Sequence, residues 1–290
     1  MKSQQRRTLV GVAWMALAMS GIGIVDGIAK WLGQSLHGVQ VVWGYFLGML
    51  MALLVYVVVA RVPARRLLAS AHPGMQVARA ACLVASLSFL FVSLRYLPLA
   101  EATAISFTSP LFTVALAGPF LGERVGWRRW TAVLIGLLGV ALIVRPSSAL
   151  LQWASLLPLI GAFFFATFTV ITRYLYADDA VTTLFFTFAC GTVLVSAVVP
   201  FVWQMPSCSE FGVFIGFGVL GALSHISIVR AMREADASVI APLNYVRLIW
   251  ALGLGLLWFE QWPDAMALLG ALVIVAAGLY AAVYGASRAA

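Results

Sequence analysis

The chain has 290 residues, of which 63% are hydrophobic and only 10% charged, and its mean hydropathy is +1.02. A soluble domain carries about 25% charged residues because its surface must face water, so this composition excludes an ordinary soluble protein and indicates one that lies in lipid. The net charge of +8 is compatible with nucleic-acid binding, but the basic residues fall in short segments between apolar runs. That placement is typical of membrane orientation and not of a phosphate-binding face.

Apolar runs long enough to cross the hydrocarbon core of a bilayer, which takes about 20 helical residues, follow one another along the chain. In chain order we predict spans at 9–30, 39–60, 75–96, 99–121, 127–145, 153–175, 181–203, 211–232, 236–259 and 263–285. The first run also follows basic residues in the manner of a signal peptide, but its length argues against removal. The sequence therefore predicts an all-α polytopic membrane protein with ten transmembrane helices and no soluble domain.

Basic residues are distributed unevenly between the two sides of this arrangement. With the N-terminus in the cytoplasm, the even number of spans places the C-terminus there as well. Only Lys30, Arg95 and Arg145 then fall at the outer side, and Arg247 falls within a span. All other lysines and arginines fall at the inner side, as the positive-inside rule requires. We therefore expect a multi-pass protein of the cell (inner) membrane with both termini in the cytoplasm.

The two halves of the chain, 1–147 and 148–290, contain similar stretches. In each, an arginine precedes a helix that opens on Ala, an acidic residue, Ala and a hydroxyl residue, the acid being Glu101 or Asp236. With five spans in each half, two copies would face opposite ways across the membrane, an arrangement typical of secondary transporters with a substrate site at the midplane. The alternative is a chance match between apolar helices.

The chain resembles the EamA type of the drug/metabolite transporter superfamily over essentially its whole length. The resemblance is carried by 97–112 (LPLAEATAISFTSPLF) with 121–124 (LGER), and by 235–248 (ADASVIAPLNYVRL) with 258–263 (WFEQWP). It implies two inverted five-helix repeats and transport of a small organic metabolite by alternating access. It leaves the substrate open among amino acids, nucleotide-linked metabolites, vitamins and drugs, and is nearest to members associated with S-adenosylmethionine, riboflavin or organic anions.

Arg247 is the most informative single residue, because it lies near the middle of the predicted ninth span. A charge at that depth is costly unless it faces a cavity or a partner. Its guanidinium is suited to anchor a substrate carboxylate or phosphate through paired hydrogen bonds, or it serves as counter-ion to a buried acid. Asn244 and Trp250 share its helical face at a spacing of three, and Tyr245 is offset from that face.

The predicted fourth span carries a comparable stripe of small polar and aromatic groups. Thr103, Ser106 and Phe107 suit a cavity for planar or amphipathic solutes, or the hydroxyl residues simply permit close helix packing. Pro110 lies within this span and Pro242 within the ninth, where each removes a backbone hydrogen bond. Such kinks expose carbonyl groups to a cavity or allow a gate to bend, or they are static.

Asp26 and Lys30, four residues apart in the first span, are placed to pair with one another, and we favour that pairing. Asp26 could instead pair with Arg247 or carry a proton, since a carboxylate in low dielectric is pushed towards its neutral form. Glu101 and Asp236 open their helices, where a carboxylate suits the helix dipole; we interpret them as caps first and gates second.

Three further residues are candidates for the cavity wall. His225 in the eighth span could donate to a substrate or shuttle protons, but a hydrogen bond between helices is the favoured interpretation. Trp43 and Tyr45 could line the cavity, yet Trp and Tyr also populate the membrane interfaces.

Enzymatic motifs are missing from the sequence: it has no HExxH, GxSxG, Walker or strand-following GxGxxG pattern. Its three cysteines form no CxxC pair, so we expect no disulfide, metal or cofactor. The expected partners are the bilayer and a small-molecule metabolite, with a proton or counter-ion as coupling species, no nucleic acid, and a monomer by default. One alternative is a proton-coupled exporter of neutral or cationic drugs that uses Asp26. A polytopic membrane enzyme is the other.

Overall fold

A computed structural model of the protein describes residues 2–121, 127–144, 149–175, 177–234 and 241–286. The α-helices are α1 (Lys2–Leu32), α2 (Gly38–Val59), α3 (Ala64–Leu67), α4 (Pro73–Ser93), α5 (Leu99–Ser106), α6 (Ser109–Leu121), α7 (Trp127–Val144), α8 (Ala149–Tyr174), α9 (Ala180–Ser196), α10 (Cys208–Glu234), α11 (Val246–Phe259) and α12 (Ala265–Ala286). Two 3-10 helices lie at Val199–Val202 and Ala241–Tyr245. No strand occurs in the described ranges, which confirms the predicted all-α class.

Five helices within these ranges are long and apolar enough to cross a membrane. They are Leu9–Leu32 of α1, Gly38–Val59, Pro73–Ser93, Trp153–Tyr174 of α8 and Cys208–Met232 of α10, with mean hydropathies of 1.8 to 2.2. The shortest has 21 residues and rises about 32 Å, close to the thickness of the hydrocarbon core. Shorter apolar helices lie at Ala180–Ser196, Leu243–Phe259 and Ala265–Ala277. The protein is therefore a multi-pass membrane protein.

The predicted fourth span is interrupted rather than continuous. α5 ends at Ser106, and α6 begins at Ser109. In the gap the Thr108 side chain donates to the carbonyl of Ile105 at 2.8 Å, while the Thr108 carbonyl accepts from the start of α6. Pro110 is the second residue of α6, where its missing N–H leaves no helical hydrogen bond unmade. The proline thus follows the break and starts the second helix.

The long helices pack around a core between α1, α2, α4 and α10. α1 packs against α10 and α11, and α4 packs against α8 and α9. α2 contacts both α9 and α10, α8 also contacts α5 and α6, and α7 packs along α12. The large side chains that are fully buried include Phe46, Phe91, Phe188 and Phe217. Aromatic residues therefore fill the centre of the bundle.

α2 and α10 approach one another backbone to backbone. A Cβ atom on Gly48 would lie 2.7 Å from Cα of Gly218 and 3.2 Å from the carbonyl oxygen of Phe214. Only glycine fits at such a contact, and small residues are the usual means by which membrane helices approach closely. The backbones of the two helices consequently meet at this point, and about one turn away on either side the rings of Phe214 and Tyr45 lie between them.

Candidate functional site

The centre of the candidate site is a buried ion pair between α1 and α11. Nε of Arg247 donates to Oδ2 of Asp26 at 2.5 Å, and Nη2 donates to Oδ1 at 2.9 Å. The two side chains, 221 positions apart in the chain, are 17% and 3% exposed respectively. This two-pronged geometry is the strongest form of an arginine–carboxylate contact. An intramembrane charge pair of this kind marks a functional site by default.

Lys30 does not pair with Asp26, so the pairing that the sequence favoured is wrong. The ammonium nitrogen of Lys30 donates to the carbonyl oxygens of Leu94 and Leu97, at 2.7 Å each. These carbonyls follow α4, and helix ends leave backbone acceptors that need a donor. Lys30 supplies it, and Asp26 binds the planar guanidinium of Arg247, which fits a carboxylate better than an ammonium group does.

Close packing of α11 on α1 brings Arg247 to Asp26. A Cβ atom on Gly23 would lie 2.5 Å from Cβ of Trp250, and one on Gly27 would lie 2.7 Å from a methyl carbon of Leu254. These two glycines flank Asp26 on α1, so the helices touch where the pair forms. Larger residues at either position would move α11 away from the carboxylate.

Three predicted site residues form aromatic contacts on the elements next to this pair. Tyr245, at the junction before α11, contacts the ring of Phe107 in the α5–α6 break, with ring centres 5.2 Å apart. Tyr45 is buried against Phe217, with ring centres 4.8 Å apart, and lies within electrostatic range of Asp26 and Arg247. Tyr45 of α2 is therefore the aromatic residue that lies within electrostatic range of the pair, and Tyr245 links the start of α11 to the α5–α6 break.

Other predicted site residues lie elsewhere. Trp43 donates from its indole nitrogen to the hydroxyl of Ser196 at 2.9 Å, which ties α2 to the end of α9. His225 packs edge-on against Phe188, with ring centres 5.9 Å apart. The Ser106 hydroxyl donates back to the carbonyl of Ala102 within α5. These contacts of the three side chains are with other parts of the bundle and do not include Asp26 or Arg247.

Two more predicted residues lie in α5, and two lie in the 3-10 helix before α11. Glu101 lies in the first turn of α5 and within electrostatic range of Lys30. Thr103 is buried, and its hydroxyl has no hydrogen-bond partner among the described residues. Asn244 and Pro242 lie in the 3-10 helix before α11. Asp236, the predicted cap of the ninth span, is outside the described residues.

A cavity of about 520 Å³ opens at the end of the bundle where α1, α4 and α11 end. Its lining consists of Lys30, Gly33, Gln34, Leu94, Arg95, Trp258, Phe259, Glu260 and Gln261. Lys30 lies one helical turn, about 6 Å, from Asp26 along α1. Glu260 has a left-handed backbone with φ 53°, which turns the chain so that Gln261 accepts from the backbone N–H of Leu99 at 3.0 Å. One lining residue, Lys30, is therefore a single helical turn from Asp26, while neither member of the ion pair lines the cavity.

Polar contacts join the helix starts at both ends of the bundle. At one end the Asp178 clasp consists of Ser70, Gln76 and Asp178, in which the carboxylate accepts from the hydroxyl at 2.5 Å and from the amide at 2.7 Å. The Ser70 hydrogen bond, followed by that of Gln76, holds the pKa of Asp178 below its usual value. This clasp ties the start of α4 to the segment before α9.

At the opposite end the Glu210 clasp consists of Ser35, Ser207 and Glu210. The carboxylate accepts from the Ser35 hydroxyl and from the backbone N–H of Ser207 at 2.6 Å. Nearby, Gln40 of α2 exchanges two hydrogen bonds with the backbone of Gln204. The starts of α2 and α10 are thereby tied together.

One buried charge was not singled out from the sequence. Arg79 of α4, counted there only as an inner-side charge, is 3% exposed. Its Nη2 donates to the hydroxyl of Thr187 at 2.5 Å and to the carbonyl of Thr183 at 3.4 Å, and its guanidinium lies 4.8 Å from the centre of the Phe168 ring. Two features of the sequence point to it: the position of Arg79 within the predicted third span, and the hydroxyl residues Thr183 and Thr187, spaced four apart, in the predicted seventh span.

Apolar membrane helices packed around a buried ion pair are typical of one class of protein, the polytopic membrane transporters. Within the described residues no group of three or more His, Cys, Asp or Glu could hold a metal. The profile of the EamA-like transporter family matches residues 9–145 and again residues 152–283. The chain belongs to this family, which confirms the resemblance seen in the sequence.

Curated relatives match along nearly the whole chain. The S-adenosylmethionine uptake transporter of Rickettsia conorii is 28% identical over 273 residues, which cover 94% of this chain and 92% of that protein. The riboflavin transporter of Vibrio cholerae is 29% identical over 284 residues, with coverage of 94% and 93%. The pseudopaline exporter CntI of Pseudomonas aeruginosa is 26% identical over 272 residues, with coverage of 92% and 94%.

A solved crystal structure superposes with a TM-score of 0.66 over 98% of this chain and 99% of that chain, at 18% sequence identity. At this identity the likeness shows the fold alone. The family and the relatives above are named as transporters, which confirms the expectation that the chain is not an enzyme. It is a membrane transporter of a small molecule.

Proposed function

We propose that the chain is a secondary transporter that carries a small organic metabolite across the cell membrane by alternating access. The solute binds at the Asp26–Arg247 pair, between two inverted repeats. The observation that carries the proposal is the pair itself, because it joins α1 of the first half to α11 of the second within an apolar bundle. Charged groups at the interface of repeats are the expected place for a substrate or coupling-ion site.

Helix packing supports the two repeats, 1–147 and 148–290, and their ten spans. The contact of α1 with α10 is matched by that of α8 with α4, and the contact of α2 with α10 by that of α9 with α4. The contact of α1 with α11 is matched by that of α8 with the α5–α6 pair. Each match exchanges helices five spans apart, as two copies of one unit would. The double match of the family profile agrees with this division.

Arg247 provides the chemistry for an anionic group. Its two N–H groups, which Asp26 now occupies, fit a carboxylate or phosphate equally well. A proton on Asp26 would neutralise the carboxylate and release the guanidinium for the solute. Binding of the solute anion and uptake of a proton are then coupled at one site, and Tyr45, Tyr245 and Phe107 hold the remainder of the solute. The cavity at Lys30 is the entry path.

The basic residues support an orientation with both termini in the cytoplasm, which makes the Asp178 end the inner one. The family relatives suggest which solutes to test first: S-adenosylmethionine and riboflavin are named for two of them, and one is an exporter of pseudopaline. A single chain encloses the proposed site, so a monomer is sufficient.

The test is solute uptake into proteoliposomes by the wild type, Arg247→Gln and Asp26→Asn. The solutes would be S-adenosylmethionine, riboflavin, succinate and the lipophilic cation tetraphenylphosphonium. Loss of one partner of a buried charge pair costs about 2–5 kcal/mol in binding, so Arg247→Gln should lower uptake of a carboxylate-bearing solute by about 30-fold or more. Arg66→Gln, which removes an exposed charge from a surface pair, is the matched control and should transport normally.

Full uptake by Arg247→Gln, at equal amounts of protein in the membrane, would rule out the anion anchor. A second candidate is a proton-coupled exporter of neutral or cationic drugs, which the burial of the Asp26 carboxylate favours. It predicts pH-dependent movement of tetraphenylphosphonium that Asp26→Asn abolishes and Arg247→Gln retains. The two candidates therefore give opposite results with the same variants.

A further inference from the structure

Arg79 is a cation inside a membrane helix that forms no ion pair with an acid among the described residues, although the Asp178 carboxylate lies within electrostatic range. Its contacts are a hydroxyl, a backbone carbonyl and an aromatic ring, and its Nε–H is buried with no hydrogen-bond partner. Arg247 binds a carboxylate directly, whereas the only carboxylate in range of Arg79 among the described residues, that of Asp178, is not in hydrogen-bond contact with it. A charge held this way in hydrocarbon is costly unless a partner or a water-filled space is available in some state. The buried Nε–H of the guanidinium therefore has capacity for one more acceptor, such as an oxyanion.

The matched position in the other repeat shows that the scaffold does not require a charge here. Arg79 is the seventh residue of α4, and Phe214 is the seventh residue of α10. Phe214 packs its ring onto Gly44 of α2 without any polar contact. Arg79 faces Thr187 of α9 instead. Since an apolar residue fills the equivalent position, the arginine is not explained by packing of the bundle.

Polar side chains lie between Arg79 and the Asp178 end of the bundle. Gln76 lies one turn earlier on α4, its amide oxygen is buried without a hydrogen-bond partner, and its amide nitrogen donates to Asp178 and Thr183. Arg79 lies about 9 Å from the start of α4 along the helix. If α4 and α9 separated at the Asp178 clasp, the polar side chains of Gln76 and Arg79 would be exposed to water.

We propose that Arg79 is a second anion subsite on the transport path, which binds the oxyanion of the solute between the Asp26–Arg247 pair and the inner side. The proposal rests on the transport function given above. Nε and Nη2 of Arg79 hold a carboxylate or phosphate group when α4 and α9 part, and Nη2 returns to the Thr187 hydroxyl and the Thr183 carbonyl when they close. The solute thus meets an arginine at each stage of its passage.

The test measures access to position 187 and needs no knowledge of the solute. In a background with Ser at Cys82, Cys190 and Cys208, Thr187→Cys would be labelled from either face of membrane vesicles. An anionic reagent, 2-sulfonatoethyl methanethiosulfonate, would be compared with the cationic 2-(trimethylammonium)ethyl methanethiosulfonate. We expect faster labelling by the anionic reagent, and we expect Arg79→Gln to lower the anionic-to-cationic rate ratio by about tenfold or more, since a nearby unit charge acts on the two reagents in opposite directions.

Three controls make the result specific. Arg66→Gln removes one exposed positive charge at the same end and should leave the rate ratio unchanged. Arg79→Lys keeps the charge and should keep the faster labelling by the anionic reagent. This variant still tests the effect of the charge if Arg79→Gln does not fold. Sodium acetate or sodium phosphate should slow labelling only while the charge at position 79 is present, and the more protective salt identifies the oxyanion as carboxylate or phosphate.

An unchanged rate ratio in Arg79→Gln would overturn the subsite, as would a Cys at position 187 that reacts with neither reagent from either face. Solute uptake by the wild type would be measured in parallel, and labelling does not depend on it. If the wild type takes up solute but labelling at position 187 does not distinguish the anionic from the cationic reagent, the subsite is refuted and the proposed function is not. Charge-selective labelling without uptake of any tested solute instead speaks against the proposed function.

Discussion

The Asp26–Arg247 pair should be the strongest single coupling between the two halves of the protein, and a double-mutant cycle can measure it. The variants are Asp26→Asn, Arg247→Gln and the combination of both. Each single change leaves one charge buried without its partner, which costs about 3–5 kcal/mol in comparable buried pairs. Because the Arg247 side chain is still 17% exposed, we expect the lower end of that range.

The double variant removes both charges and keeps two amides of similar shape. It should therefore lose less stability than the sum of the single losses, with a coupling of about 2 kcal/mol or more. Thermal unfolding in detergent, followed by tryptophan fluorescence, is the assay. A loss of about 3 kcal/mol corresponds to a fall in melting temperature of roughly 6–12 °C for a chain of this size. The exposed Arg66–Asp179 pair is the control and should show little coupling.

Additive losses, with the double variant equal to the sum of the single variants within about 0.5 kcal/mol, would refute the reasoning. The two residues would then be neighbours without energetic interaction. The pair could not in that case link the halves, and the proposed coupling between proton and solute would lose its structural basis.

Three further predictions concern stability. Gly48→Ala places a methyl group 2.7 Å from the α10 backbone and should lower the melting temperature, whereas Gly216→Ala, with no atom within 4 Å, should not. Lys30→Met leaves two carbonyl oxygens without their donor and should cost about 1–3 kcal/mol, measured by thermal unfolding; an unchanged melting temperature contradicts the capping role. The Ser70 hydrogen bond lowers the pKa of Asp178 from 3.8, so its contribution to stability is present above that pH and is lost as the pH falls further. Asp178→Asn should remove this acid-dependent loss, and an identical pH profile in the variant would contradict it.

The sequence predicts the helical class and the family because both depend on local hydropathy and short motifs. It also points to Arg247, since a charge within an apolar span stands out without any tertiary knowledge. The partner of Arg247 is a different matter. Lys30 is one turn from Asp26 along the chain, whereas Arg247 reaches it only because Gly23 and Gly27 let α11 lie against α1. No local sequence pattern predicts this close approach of α11 to α1.

Arg79 illustrates the same limit at a span end. An arginine near the start of a predicted span is normally interpreted as marking the cytoplasmic side of the membrane. The burial of Arg79 depends on Thr187 and Phe168, which come from two other helices. The break in the fourth span is similar: Pro110 marks the region, but the interruption lies before it, because a proline is well placed at the start of a helix. Contacts between residues of different helices can be identified only from the packed structure.

The contact between Gly48 and Gly218 has a mechanical consequence. No side chain separates the two backbones at this point, so α2 and α10 can rotate about it, and the rotation shifts the Phe214 ring packed on Gly44 and the Tyr45 ring packed against Phe217. Glu234 lies 16 residues beyond Gly218, about 24 Å along α10, so a rotation of roughly 10° moves the helix end by about 4 Å. The same rotation moves the Glu210 end in the opposite direction. One small hinge motion would therefore widen the bundle at one face while narrowing it at the other.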